Sequence, residues 1–215
     1  RESRMAKQDK DLLEDLVEIS KYFGQRFDLT QAAGGNSSVK INKKMFIKTS
    51  GYSLAEVSPK SGYSIVQNDK LIAFLSKIKN LTITNQIEAK SFQILKNSLV
   101  GGDSPSTETF FHSSMKKFTI HLHPIVCNMV SVVKDSKRIF NQIFSEEISK
   151  KFIFYIRYRT PGISLGLEIS KKLSSYQGEI KKNKFVVFFL ENHGLVCSSD
   201  DKEELIKCVE SIIKK

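Results

Sequence analysis

The chain has 215 residues, 40% hydrophobic and 27% charged, with 11 Gly, 4 Pro and no biased tract, a composition that excludes a disordered or fibrous protein. At about 100–200 residues per domain there is little room for two domains, so residues 1–215 are expected to form one. The net charge of +11 comes from 28 Lys and only 6 Arg, scattered as pairs, so it reads first as a solvated surface, then as attraction of an anionic substrate, and last as a nucleic-acid site.

Leu12, Leu13, Leu16, Val17, Ile19 and Phe23 fall near helical spacing and predict an amphipathic helix from about Lys10 to Phe23. The Gln31–Asn36 stretch, with Gly34-Gly35 inside it, breaks that helix. Short strands at Ser38–Ile41, Met45–Thr49 and Tyr63–Gln67 then read as a meander, followed by helices at Leu71–Ile78 and Ile87–Leu95. Gly101–Pro105 marks a turn into a helix starting near Ser106. Strands are expected at Thr119–His123 and Phe152–Tyr158, with helices at Ile125–Val133 and Ile139–Ile148 between them. Pro161-Gly162 opens a helix to about Tyr176. Lys184–Leu190 is an apolar strand, followed by Asn192-His193-Gly194, a second short strand and a terminal helix. Strands mixed with helices, without regular β-α-β alternation, predict an α/β sandwich on a mixed, largely antiparallel sheet.

The longest apolar run, Phe185–Leu190, is far below the ~20 residues of a membrane span. The opening residues lead into no apolar signal segment, and residues 1–4 read as an upstream remnant before a start at Met5. Cys127, Cys197 and Cys208 lack C-x-x-C spacing and suggest neither a disulfide framework nor a thiolate zinc knuckle. The expected location is therefore the reducing cytoplasm.

The chain has four histidines. His121 and His123 stand two apart on a predicted strand, where side chains alternate, so both imidazoles project from one face. His193, at the end of another strand and beside Gly194, is the natural third ligand of a divalent ion with an open coordination position; Gly194 would let backbone or substrate come close. The plainer reading is an ordinary H-x-H pair and an Asn-His-Gly turn. Glu108, after Ser106-Thr107, is placed as an acid/base beside the metal or as a first-turn helix cap. His112, four residues on, reads as its partner or as a core residue. The Gly34–Ser38 and Thr49–Gly51 stretches offer backbone N–H groups, hydroxyls and an amide suited to a phosphate, or form plain turns.

Taken in order, Gly34-Gly35-Asn36-Ser37-Ser38-Val39-Lys40, Lys48-Thr49-Ser50-Gly51, Pro105-Ser106-Thr107-Glu108, His121-Leu122-His123-Pro124 and Asn192-His193-Gly194-Leu195 resemble the class II aldolase/adducin family. The wording is most similar to the aldolase module of rhamnulose-phosphate aldolase/alcohol dehydrogenase fusion proteins, without the dehydrogenase part. The resemblance implies a three-layer α/β/α sandwich assembled as a homotetramer. It implies Zn2+ on His121, His123 and His193, Glu108 as acid/base, and Asn36, Ser50, Gly51, Ser106 and Thr107 around a substrate phosphate. The implied reaction is retro-aldol cleavage of a ketose 1-phosphate to dihydroxyacetone phosphate and an aldehyde. The C-terminal tyrosine used by fuculose-phosphate aldolases has no counterpart up to Lys215. Other family chemistries are a 4-epimerase, with aspartate where Glu108 stands, a methylthioribulose-phosphate dehydratase and a decarboxylase; adducin is a non-catalytic interaction module that has lost the metal ligands.

Overall fold

The computed structural model describes residues 2–215, with side chains from Lys7 onward. Of residues 1–4, read as an upstream remnant, Arg1 lies outside the described residues. Helix α1 (Glu2–Gly24) leads into strands β1 (Asn36–Ile41), β2 (Lys44–Lys48) and β3 (Tyr63–Gln67), then helices α2 (Asn68–Ile78) and α3 (Asn85–Ser98). Strand β4 (Leu99–Gly102) precedes the short helix α4 (Thr109–Ser113) and strand β5 (Phe118–Leu122). Helices α5 (Ile125–Ser131), α6 (Ser136–Ile143) and α7 (Ser145–Ser149) lead to β6 (Ile153–Ile156). Helices α8 (Ile163–Ser175) and α9 (Gln177–Lys182), strands β7 (Phe185–Leu190) and β8 (Gly194–Ser199) and helix α10 (Lys202–Ile213) complete the chain.

The eight strands form one sheet in the order β4-β3-β2-β1-β5-β8-β7-β6. Every neighbouring pair is antiparallel except β6 and β7. The expected mixed, largely antiparallel sheet is therefore present, and helices cover both faces. Period-two alternation sorts the side chains. Val39, Phe46, Ile120, Leu122, Val187, Phe189, Leu195 and Cys197 pack under α1, α6 and α10. Met45, Ile47, Val66, Val186, Phe188 and Val196 point the other way, towards α2, α3, α4 and α8.

Local departures from the predicted elements have physical causes. Pairing of Leu99, Gly101 and Gly102 with β3, with the register skipping Val100, produces β4, whose Gly-Gly ending carries no strand signal in sequence. The predicted helix Ile139–Ile148 breaks at Phe144, whose backbone leaves helical dihedrals (ψ 27°) as its ring packs on Phe140 and Phe189. The helix expected from Ser106 starts at Thr109 instead, because Ser104–Thr107 is held against the loop after β2.

The face towards α4 also carries a buried polar seam. Lys40 donates to Ser38 Oγ at 3.3 Å, the Lys116 carbonyl at 2.8 Å and Thr119 Oγ1 at 3.0 Å; Thr119 in turn meets Ser198 Oγ at 2.9 Å. Ser38 Oγ also lies 2.8 Å from His112 Nδ1. These partners share the sheet's centre, between the two apolar clusters of that face.

Helix α8 reaches α4 through Gly166: a Cβ there would lie 2.7 Å from Phe110 Cβ and 3.1 Å from its carbonyl carbon. Gly-to-Ala inside a helix ordinarily gains about 0.5–1 kcal/mol, but overpacking costs about 1–3 kcal/mol, and here a backbone would have to give way. Gly166→Ala is therefore expected to lower stability by about 1–2 kcal/mol in urea denaturation, against the helix-propensity trend.

Candidate metal centre

The register of the central strands builds this site. Asn36 in β1 stands directly opposite His121 in β5, and β8 flanks β5 on its other side. His121 is fully buried, and its Nδ1–H donates to the Leu195 carbonyl of β8 at 3.0 Å. That bond fixes the tautomer and leaves the Nε2 lone pair free. His123 lies just past the end of β5, anchored by its N–H to the Leu29 carbonyl at 2.9 Å. Its Nε2 sits 3.0 Å from His121 Nε2. His193 comes from the turn between β7 and β8, where Asn192 takes a left-handed conformation (φ 52°) that Asn tolerates better than most residues. Its ring centroid lies 4.7 Å from that of His121.

Glycines admit this packing. A Cβ on Gly194 would meet the Leu122 carbonyl at 2.4 Å and His123 Cδ2 at 2.8 Å; one on Gly34 would meet His123 Nδ1 at 2.8 Å. Sequence reasoning reserved the space at Gly194 for backbone or substrate; the neighbours that occupy it are the β5 backbone and the imidazoles themselves.

Glu108 closes the cluster. Its Oε1 lies 3.2 Å from His193 Nε2 and 3.7 Å from His121 Nε2, and its Oε2 accepts from the Asn36 amide. Burial works to raise the Glu108 pKa, but the neighbouring His121 and the His193 hydrogen bond outweigh it, and the carboxyl is held below its ordinary value. Burial pushes His121 down to about 3, with Glu108 opposing, so this imidazole is neutral at neutral pH and presents a lone pair. His123 is lowered as well, by burial first and then by His193.

The donor set suits a divalent transition-metal ion. The ligand atoms of His121, His123 and His193 all lie within 4.8 Å of one another. With its Nδ1–H committed to the Leu195 carbonyl, His121 presents the Nε2 lone pair to the cluster, 3.0 Å from His123 Nε2, and a cation there would take a lone pair from each ring.

The other predicted residues gather beside this cluster. Thr49 pairs with Pro105 in an isolated bridge, its hydroxyl donates to the Ser104 carbonyl, and Ser50 N–H donates to the same carbonyl at 3.4 Å. Ser50-Gly51 and Ser106-Thr107 therefore lie on adjacent loops. Gly51 (φ +84°) has open space around it. Ser106 Oγ accepts from the Glu108 N–H at 3.3 Å, so this Ser caps the turn that presents Glu108, and Glu108 does not cap α4 with its own side chain. Asn36 Oδ1 is buried without a partner. His112 is fully buried and bonds Ser38 through Nδ1; burial lowers its pKa, with the Glu108 charge opposing.

Lys48 opens the Lys48-Thr49-Ser50-Gly51 motif, and its role emerges only in the fold. It is 2% exposed, and its ammonium donates to the carbonyls of Thr49 at 3.1 Å, Tyr52 at 2.6 Å and Ala33 at 3.4 Å. It thus ties the loop after β2 to the Gly34-Gly35 loop. Burial lowers its pKa, with Glu108 and Glu56 opposing. The signal available in sequence was a Lys at the end of an otherwise apolar strand, directly before Thr49-Ser50-Gly51.

Residues 14–214 match the family described as Class II Aldolase and Adducin N-terminal domain, and the chain belongs to that family. Its fold is shared by the N-terminal class II aldolase domain of a conserved protein from Thermoplasma acidophilum, at 21% identity and TM-score 0.74, covering 94% of this chain and 90% of that one. A sugar-phosphate aldolase from Thermotoga maritima superposes with TM-score 0.67 at 14% identity, covering 96% and 92%. YgbL from Klebsiella pneumoniae, described as a candidate aldolase/epimerase/decarboxylase, gives TM-score 0.63 at 18% identity, covering 95% and 86%. No curated protein matches the sequence. Among the described residues no helix is long and apolar enough to cross a membrane.

His121→Ala and His193→Ala are each expected to weaken zinc retention by about a hundredfold or more in equilibrium dialysis, with circular dichroism unchanged. Glu108→Gln, which keeps the three imidazoles, is expected to retain the ion.

Proposed function

We propose that the chain is a divalent-metal-dependent lyase that cleaves a ketose 1-phosphate to dihydroxyacetone phosphate and an aldehyde. The observation that carries this reading is the convergence of three imidazoles and the Glu108 carboxylate at one largely buried point. In this reading His121, His123 and His193 hold the ion. When bound, the ion supplies Lewis-acid polarisation of the ketose carbonyl and of an adjacent hydroxyl; three imidazoles with a nearby carboxylate suit zinc and also other divalent transition metals.

Glu108 is the proton carrier. When the carbon–carbon bond of the ketose breaks, its electron pair remains on the phosphate-bearing fragment as an enediolate. As the aldehyde carbonyl forms, the substrate hydroxyl gives up its proton to the Glu108 carboxylate, directly or through water, and Glu108 passes that proton to the carbon that becomes the hydroxymethyl group; the aldol direction reverses both transfers. The Asn36 amide orients the carboxylate through Oε2, leaving Oε1 towards the imidazoles, which supports this division of labour. Ser50, Gly51, Ser106 and Thr107, with Asn36, are assigned to the phosphate, and Lys48 lies behind their loops as a buried positive charge. Binding energy at the phosphate would then hold the cleaved bond in place over Glu108.

The chain is further assigned to a homotetramer located in the cytoplasm. Support for assembly comes from an apolar strip on α5 and the turn after it. Ile125, Val126, Met129, Val132 and Val133 are 41–65% exposed and begin two residues beyond His123. Such a contiguous strip on a charged protein marks a contact surface. Met129→Lys with Val132→Lys is expected to convert the assembly to smaller species in light scattering while leaving the circular dichroism spectrum unchanged.

The function is tested by deuterium exchange at the hydroxymethyl carbon of dihydroxyacetone phosphate, followed by NMR. Stereospecific exchange is expected with metal-loaded protein, reduced by about a hundredfold or more in Glu108→Gln and lost on metal removal. Absence of exchange by folded, metal-loaded protein would overturn the aldolase reading in favour of the dehydratase or epimerase chemistry.

A further inference from the structure

At the opposite end of β1 and β5 from the histidines lies a second cavity, of about 580 Å³. Asn36 and Lys40 are four residues apart on β1, so the two sites are separated by about 13 Å of strand. The cavity floor includes Lys40 and Asn68, and its walls include Lys116, Lys117 and Lys181 with a single acid, Asp200. Its volume lies within the range of small-molecule sites, about 300–1,000 Å³.

Lys40 is 9% exposed, and each of its three hydrogen-bond acceptors is a neutral oxygen. No carboxylate lies within ion-pair distance of it among the described residues. A buried cation without a countercharge is costly, and proteins normally pair it. Asp200 is already engaged by Lys116 at 2.9 Å and by the Lys117 N–H at 3.2 Å. Lys117 and Lys181 make no ion pair among the described residues. Asn68 is 5% exposed, donates to the Ser113 carbonyl at 3.1 Å, and its Oδ1 has no partner. The cavity thus combines a buried ammonium with no carboxylate at ion-pair distance, two rim lysines that make no ion pair, and hydroxyls of Ser113, Ser114, Ser170 and Ser174.

We propose that this cavity is a second binding site, separate from the metal centre, for a small phosphorylated molecule whose phosphate pairs with Lys40 and with the rim lysines Lys117 and Lys181. Hydroxyl groups on the same molecule find the serine hydroxyls that line the cavity. Burial lowers Lys40 to about 7, with the more distant Asp200 charge opposing, as for a buried cation that lacks a direct ion pair. Because the cavity opens at the far end of the strands, its occupant does not compete for the metal centre. Lys40 also reaches His112 through Ser38, which gives the two sites a physical connection along the buried seam.

The test is titration with inorganic phosphate, followed by 31P NMR line width and calorimetry. It uses wild type, Lys117→Glu with Lys181→Glu, Lys40→Met and Ser50→Glu, the last placing a carboxylate in the loop assigned to the substrate phosphate. Wild type is expected to show two binding events. The double rim variant is expected to lose one of them, with affinity reduced about tenfold or more, and to keep the other. Ser50→Glu is expected to keep the event that the rim variant loses. The proposal is overturned if the rim variant binds phosphate as wild type does, or if Ser50→Glu binds none. A wild-type protein with only the event that Ser50→Glu retains would support this site and count against the phosphate loop. Should Lys40→Met fail to fold, the rim variant decides.

Discussion

One carboxylate among three imidazoles, at a largely buried point, is the constraint around which the rest of this fold is arranged. Such a group is expensive to bury unless every one of its contacts is in place. Glu108 meets that condition through the Asn36 amide on one oxygen and the His193 and His121 rings near the other. Each of those partners comes from a different strand or turn, so the antiparallel register of β1, β5 and β8 must be correct to within a residue. A slip by one would turn His121 and Asn36 to the opposite face, into the apolar cluster beneath α1 and α10. The glycines at 34 and 194, which have no side chain to put between strand and ring, belong to the same constraint.

The high positive charge gains a different meaning once the chain is folded. Many lysines are exposed or joined to acids in surface pairs such as Lys10–Glu14 and Lys184–Glu204, which contribute little. Two are not. Lys48 and Lys40 are both buried and bonded to neutral oxygens, and they sit at opposite ends of the sheet, one behind the loops near the metal centre and one at the floor of the far cavity. Neither makes a direct ion pair among the described residues, and burial lowers the pKa of both.

The family assignment and the chemistry rest on different grounds. Membership follows from the match over residues 14–214, and the shared fold from structures at 14–21% identity. That family spans aldolases and the non-catalytic adducin, so the fold leaves the reaction undecided. The proposed lyase activity rests on the site: on the neutral imidazole of His121, the tautomer imposed by Leu195, and the carboxylate that Asn36 turns towards the ligands.

Much of this protein was legible in its sequence. Hydrophobic spacing located α1, β1, β3, α2, α3, α8, β7 and α10, since each buries a face whose periodicity is local. The H-x-H spacing placed two imidazoles together for the same reason, as a strand repeats every two residues. Among five ordered motifs the sequence also held His121, His123, His193, Glu108 and Asn36, which the fold brings together. Other features depended on contacts between distant segments. Strand β4 exists because β3 offers it an edge, α4 begins late because Pro105 is held by Thr49, and one predicted helix breaks where Phe144 turns into the core. The partners of Glu108, the burial of Lys48 and Lys40, and the second cavity were decided by tertiary structure alone, because desolvation and hydrogen-bond partnership are set by what packs around a residue and not by its neighbours in the chain.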